Sequence, residues 1–191
     1  MYVLFEGIDT CGKSTQIEML RSVMPDIVTT FEPGATLFGK RAREILLEGS
    51  LRSRRAELLL FLADRAEHYE EIIRPNHDKT VVSDRGFISG IGYALANGEC
   101  DFDELVALNR FALQGRFPDK VILFLTDMQT LQTRMGEKEL DGIELRGLEY
   151  LMRVQEHMRK SVLKLGLPHL FVDARESVES IHRKIVAYLE S

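Results

Sequence analysis

Short apolar runs alternate with segments of helical period along the chain, and that alternation predicts its elements in order. Tyr2 to Phe5 is a strand-forming run that stops at a Gly-containing turn, the pattern of a strand buried on both faces. From Ser14 the period becomes helical, with Ile17, Leu20 and Val23 on one face and Pro25 closing the segment. Ile27 to Phe31 reads as a second strand ending at Glu32-Pro33-Gly34, and helical spacing then resumes through Ile45, Leu46 and Leu47 as far as Gly49. A long helix is predicted over 54–74, with Leu58, Phe61, Leu62 and Ala66 on a shared face and Pro75-Asn76 as its stop. Thr80 to Ser83 is the third strand, followed by helices over 87–97, rich in small residues, and 103–113. Val121 to Leu125 is the clearest buried strand. After a charged stretch at 134–146, a helix runs to about Leu165, Leu170 to Val172 is a weaker strand, and Val178 to Leu189 is the last helix.

Strands alternating with helices predict an α/β chain: a parallel five-stranded sheet flanked by helices on both faces, with right-handed crossovers and ligands gathered at the strands' carboxyl ends. No repeat or linker interrupts the pattern, so residues 1–191 are expected to form a single domain, and 45% apolar residues suffice for its core. The balance of 25 Lys and Arg against 30 Asp and Glu, net -5, supplies no basic field for nucleic acid. No stretch approaches the roughly 18 apolar residues of a membrane span. Cys11 and Cys100 are too few for a disulfide framework, and the opening residues lack the basic start and apolar run of a secretory signal. A cytoplasmic location is expected.

Gly7-Ile8-Asp9-Thr10-Cys11-Gly12-Lys13-Ser14 matches the phosphate-loop pattern G-x-x-x-x-G-K-[ST], placed between a strand and a helix where its mechanism requires it. The glycines let successive N–H groups and the helix N-terminus face a polyphosphate, Lys13 reaches the outer phosphates, and the Ser14 hydroxyl can ligate Mg²⁺. Thr15 adds a hydroxyl to a neighbouring phosphate. For Cys11, a small residue tolerated in a tight loop is the simpler reading than a reactive thiol. A GTP switch would need an Asn-Lys-x-Asp or Thr-Lys-x-Asp tetrapeptide, and neither occurs. A mechanical ATPase carries an acidic pair at a strand end, whereas Asp84 here is followed by Arg85, a combination better suited to binding phosphate. A small kinase remains.

Several segments then appear in a particular order: Phe5-Glu6-Gly7-Ile8-Asp9, Glu32-Pro33-Gly34, Leu60 to His68, Asp84-Arg85 with Ser89 and Tyr93, Pro118-Asp119, and Leu140-Asp141-Gly142-Ile143-Glu144. In that order and spacing the chain resembles bacterial thymidylate kinases over essentially its whole length. The resemblance implies a three-layer P-loop NTPase fold, phosphorylation of dTMP to dTDP with MgATP, and a homodimer, for which the small-residue helix near Ile88 to Ala96 is a candidate face.

Phe61 and Arg65 stand four apart, so both can reach one side of a pocket. By themselves they read as a core Phe and a solvated Arg; the resemblance makes Phe61 the face on which thymine stacks and Arg65 a donor to a base carbonyl. Arg85 can clamp the acceptor's phosphate, with Asp84 orienting that clamp or reaching the Mg²⁺ shell through water, or the two form only a strand-end ion pair. The resemblance implies that Tyr93, with Ser89 on the same helix face, crowds the sugar's C2′ against a ribose hydroxyl, while alone it reads also as a half-buried aromatic. It also implies that Asp9 lies near the 3′-hydroxyl and that Pro33 and Arg43 line the acceptor pocket, while Asp9 alone reads equally as a turn residue and Arg43 as a solvated one.

The acceptor phosphate is already anionic, so the reaction calls for in-line positioning and charge cancellation rather than a strong base. The histidines, His68, His77, His157, His169 and His182, are expected at the surface or an interface, without a chemical role. Transition-state charge still calls for a lid cation, and here the chain departs from the family pattern. Loop positions 8–11 offer no arginine, and the lid at about 134–146 offers Arg134 first, then Lys138, with Arg146 or Arg153 as further options, while the segment reads nearly as well as a solvated charged face. Phe31 replaces a basic residue common in the family, and Gly90 and Ala94 replace polar residues many relatives direct at thymine. Ala174 and Arg175 resemble the segment bordering adenine. Two other functions stay open: a deoxynucleoside kinase acting on thymidine, with Glu6 as base, and a nucleotide-binding regulator with weak catalysis.

Overall fold

The computed structural model describes residues 1–98, 100–136 and 147–191. Five parallel strands, β1 (Tyr2–Glu6), β2 (Val28–Phe31), β3 (Val81–Asp84), β4 (Lys120–Leu125) and β5 (His169–Asp173), form one sheet in the order β2-β3-β1-β4-β5. The eight helices among the described residues are α1 (Lys13–Val23), α2 (Leu37–Leu47), α3 (Arg54–His68), α4 (Phe87–Asn97), α5 (Phe102–Ala112), α6 (Met128–Met135), α7 (Leu148–Leu165) and α8 (Val178–Glu190).

Alternation along β1 divides the core. Tyr2 and Leu4 face Phe87, Ile88, Ile91, Leu105 and Val154 of α4, α5 and α7, while Val3 and Phe5 face Ile17, Leu20, Ile181 and Ile185 of α1 and α8. Both faces of the central strand are therefore dry, as a parallel sheet requires. None of the described helices is long and apolar enough to cross a membrane.

Register positions the chemistry. Phe5 stands beside Asp84 on one side and Ile122 on the other, Arg85 donates its N–H to the Phe5 carbonyl at 2.8 Å, and Glu32 donates to the Asp84 carbonyl at 3.0 Å. Three strand ends thus bring residues 6–15, 32–34 and 84–89 together at one edge.

The expected elements are present, with local differences. The helix begins at Lys13 rather than Ser14, and its buried stripe runs through Gln16, Ile17 and Leu20, with Met24 also packing inward; Val23, one step off that stripe, is 57% exposed. The helix predicted over 54–74 is α-helical only to His68. Tyr69–Ile73 form a wider π-turn that carries Tyr69 and Ile73 into the core, and Arg74–Asn76 a 3₁₀ turn around Pro75, which has no N–H to continue the ladder. The segment Leu140 to Glu144, Lys138, Arg146 and most of the expected lid lie outside the described residues.

Candidate active site

The loop after β1 curls against β4: a Cβ on Gly7 would stand 2.8 Å from the Phe124 carbonyl oxygen, and its φ of 142° is one that side chains rarely adopt. The Lys13 ammonium donates to the carbonyls of Gly7 and Ile8, both at 3.0 Å, and lies 4.0 Å from Asp84 Oδ1. Ser14 Oγ donates to Asp84 Oδ2 at 3.1 Å. Asp9, Thr10, Gly12, Lys13, Ser14 and Thr15 line a cleft of about 670 Å³ together with Asp84 and Arg85.

Ile8 and Cys11, expected at the nucleotide, turn their side chains into the core instead, and with Gly7 they do not line this cleft. Ile8 is fully buried, and Cys11 Sγ donates to the Ile8 carbonyl at 2.9 Å, so their contribution to a ligand is limited to backbone.

Arg85 occupies the junction between this loop cleft and an inner one. Its backbone is left-handed, φ 71°, a conformation that costs a non-Gly residue about 1–2 kcal/mol. One guanidinium nitrogen meets Asp9 Oδ1 at 2.8 Å, and the other donates to the Gly7 carbonyl at 2.7 Å and to Ser89 Oγ at 3.3 Å. Burial works against the charge, and the carboxylate of Asp9, then Tyr93 and Asp84, more than restore it, so its pKa lies above the ordinary arginine range. The carboxylate that orients Arg85 is thus Asp9. Asp84 faces Ser14 and Lys13 instead, and its Oδ1 is buried with no hydrogen-bond partner. Asp9, which alone reads as a turn residue, is ion-paired with Arg85.

The inner cleft brings together Asp9, Pro33, Arg43, Phe61, Arg65 and Arg85, and with them Ser89 and Tyr93 of α4. The residues expected to hold an acceptor therefore share one wall system. Phe61 is half-buried and does double duty, packing against the core while lining the cleft. Arg43 is exposed yet anchored, donating to the Pro33 carbonyl at 3.0 Å. Arg65 is not a solvated residue: it is 2% exposed, and its Nη2 lies 2.7 Å from Glu32.

His68 is likewise not at the surface. It is fully buried, its Nδ1 2.7 Å from Glu32 and its Nε2 2.7 Å from Thr30 Oγ1. Burial raises the Glu32 carboxyl, and the charge of Arg65 with the hydrogen bond to His68 overcomes this, leaving it below its ordinary value. Asp64, whose Oδ1 accepts from the Gly34 N–H at 3.1 Å, is pushed up to about 6 by burial and by the neighbouring Glu32 charge. The i, i+4 spacing of Asp64 and His68, with Arg65 on the same turn, is the sequence signal that could have found this network; nothing local points to Asn109, which joins it from α5.

Glu6 is spent on structure. Its carboxylate accepts the Ile88 and Ser89 N–H groups at 3.1 and 3.2 Å and the Ser89 hydroxyl, serving the N-terminus of α4, where Gly86 offers no side-chain cap. Burial pushes it up to about 7 against the opposing bonds from Ser89.

Arg134 does not stand over the loop cleft. It sits in the last turn of α6 and donates to the Thr10 carbonyl at 3.0 Å and the Ala174 carbonyl at 2.8 Å, strapping the phosphate loop to the turn after β5. Arg175 in that turn is paired with Asp173 and Asp127, and Arg153 lies over the Tyr150 ring. Asp119, at the opposite end of the sheet, accepts from the Tyr2 N–H and is structural.

The profile of the family described as thymidylate kinase matches residues 5–185. The thymidylate kinase of Sulfurovum sp. (strain NBC37-1) is 74% identical over 190 residues, covering all of both chains. That of Campylobacter concisus (strain 13826) is 51% identical over 99% of this chain and 98% of its own. Among solved structures, the thymidylate kinase of Ehrlichia chaffeensis superposes with a TM-score of 0.77 at 26% identity, over 100% of this chain and 98% of that one. A likeness that runs from end to end at such identity makes this chain a member of the thymidylate kinase family.

Proposed function

We propose that the protein transfers the γ-phosphoryl group of ATP to dTMP, forming dTDP. The observation that carries this reading is the place of Arg85, held by Asp9 where the loop cleft and the inner cleft meet. ATP phosphates in the loop and a nucleoside monophosphate in the inner cleft then present their reacting ends to one guanidinium. Arg85 holds the acceptor phosphate, whose own oxygen is the nucleophile, so no side chain has to remove a proton. Lys13 offsets charge on the outer phosphates of the donor. Phe61 offers a ring to the base, and Tyr93, tilted against Tyr150 with ring centroids 6.3 Å apart, narrows the cleft beside the sugar.

Mg²⁺, carried with ATP, supplies charge neutralisation between the donor phosphates. Ser14 Oγ would hold it directly and Asp84 through water; the buried Asp84 Oδ1 beside that hydroxyl accepts no hydrogen bond and is what a hydrated divalent cation would satisfy. The tether of Arg134 to Ala174 supports seating the adenine near Ala174 and Arg175, with Arg134 acting on the loop's shape rather than on the transferring group. A homodimer working in the cytoplasm is part of the same reading.

The thymidine alternative loses its base, because Glu6 is fully buried and committed to α4. Coupled ADP release with dTMP, dUMP, dCMP, the thymine ribonucleotide and thymidine tests the assignment. The expected result is a clear preference for dTMP; preference for another acceptor, or nucleotide binding without turnover, would refute it.

A further inference from the structure

The inner cleft contains a cation whose position is fixed from several sides. Arg65 carries five N–H donors. Its Nε and Nη2 meet Glu32 Oε2 at 2.9 and 2.7 Å, and its Nη1 donates to Asn109 Oδ1 at 2.7 Å. One donor on each nitrogen is thereby used, which leaves one N–H on Nη1 and one on Nη2. Those two nitrogens are also the atoms closest to Gly90: a Cβ there would stand 3.0 Å from Nη1 and 3.4 Å from Nη2. The guanidinium crosses residue 90 on a path that a side chain would obstruct.

Its holders are themselves held. Glu32 Oε1 meets His68, His68 meets Thr30, and Asn109 Nδ2 donates to the Leu105 carbonyl at 2.7 Å. All are buried. A buried ion pair of this kind gains little stability over well-packed apolar residues, so a positional role accounts for it better than a stabilising one.

We propose that Glu32, Asn109 and the bare backbone of Gly90 are positioning elements for acceptor specificity: together they fix the two spare Arg65 N–H groups at the wall of the inner cleft, where the nucleobase must present a carbonyl. This rests on the acceptor reading given above. A guanidinium only donates. Thymine and uracil carry a ring carbonyl where cytosine carries an exocyclic amino group, and an amino group facing Arg65 would set donor against donor at a residue that is 2% exposed. Rejection by an unpaired buried polar group is strong.

The test uses the full chain, with dTMP and dCMP as acceptors at saturating ATP. Gly90→Ala is expected to raise the KM for dTMP about fivefold or more while the KM for ATP and kcat hold, as loss of uniform acceptor binding does. Alanine favours a helix interior, and the atoms nearest its Cβ all belong to the Arg65 guanidinium, so the urea midpoint of this variant is measured beside its kinetics to establish that it folds. Asn109→Leu is expected to reduce the dTMP-over-dCMP ratio of kcat/KM about tenfold or more, and Asn109→Asp, which keeps an acceptor for Nη1, to retain more of that ratio than Leu does. If Asn109→Leu does not fold, Gly90→Ala decides alone. Unchanged KM and base preference in the folded variants would overturn the inference, as would a parent enzyme that uses dTMP and dCMP equally well. A parent that uses no pyrimidine monophosphate would overturn the acceptor reading first, and this inference with it.

Discussion

Arg85 is constrained at both ends, by a left-handed backbone and by Asp9, Gly7 and Ser89 around its guanidinium. Replacing it with Met should lower kcat/KM for dTMP by about 10³-fold, on the scale of removing a preorganised charge from a phosphoryl-transfer site, while ATP affinity measured by titration calorimetry stays within a few fold. Lys13→Ala should reduce kcat about 10²-fold or more, and turnover near the parent rate would contradict its role at the donor phosphates. Tyr93→Ala should open the sugar side, raising relative kcat/KM for the ribonucleotide about tenfold; an unchanged deoxy preference would remove Tyr93 from sugar selection. The residues of the loop and of the Asp84-Arg85 pair were legible because their chemistry is written in contiguous motifs. The network behind the cleft was not: Arg65 finds Glu32 across 33 residues and Asn109 across 44, and no local pattern records such a pairing.

At the level of elements, periodicity located each strand and helix, and the errors arose where tertiary packing chose between neighbouring residues. Met24 displaced Val23 because α8 covers one stripe of α1, and the π-turn at Tyr69 followed from seating two residues in the core ahead of a proline. The small residues of the 87–97 helix, considered above as an interface, are used at least partly inside the molecule. A Cβ on Gly92 would stand 2.6 Å from Met158 Cγ and 3.1 Å from the Val154 carbonyl oxygen, so α4 and α7 approach backbone to backbone there. Gly92→Ala should therefore cost about 1–3 kcal/mol in urea denaturation despite its gain in helix propensity. Equal stability would show that α7 can withdraw.

Across the whole molecule, buried carboxyls set how stability responds to pH. Glu6 and Asp64 titrate near 7 and 6 in the folded chain, above their ordinary values, so the native state binds their protons more tightly than the unfolded one. Stability should fall as pH rises through roughly 4 to 7 and stay reduced above that window; Glu6 contributes on the order of 3 kcal/mol at most. Glu32 has the opposite sign, and its contribution is lost only on acidification below the ordinary carboxyl range. Urea midpoints at pH 5 and pH 8 should differ less in Glu6→Gln than in the parent; an equal difference would relieve Glu6 of that role. The twist of the chain at Arg85 has a practical corollary for anyone engineering heat resistance. Glycine or asparagine would sit more comfortably at a φ of 71°. A screen ranked on melting temperature alone thus has a motive to discard the side chain on which turnover depends, and position 85 should be locked before such a library is drawn up.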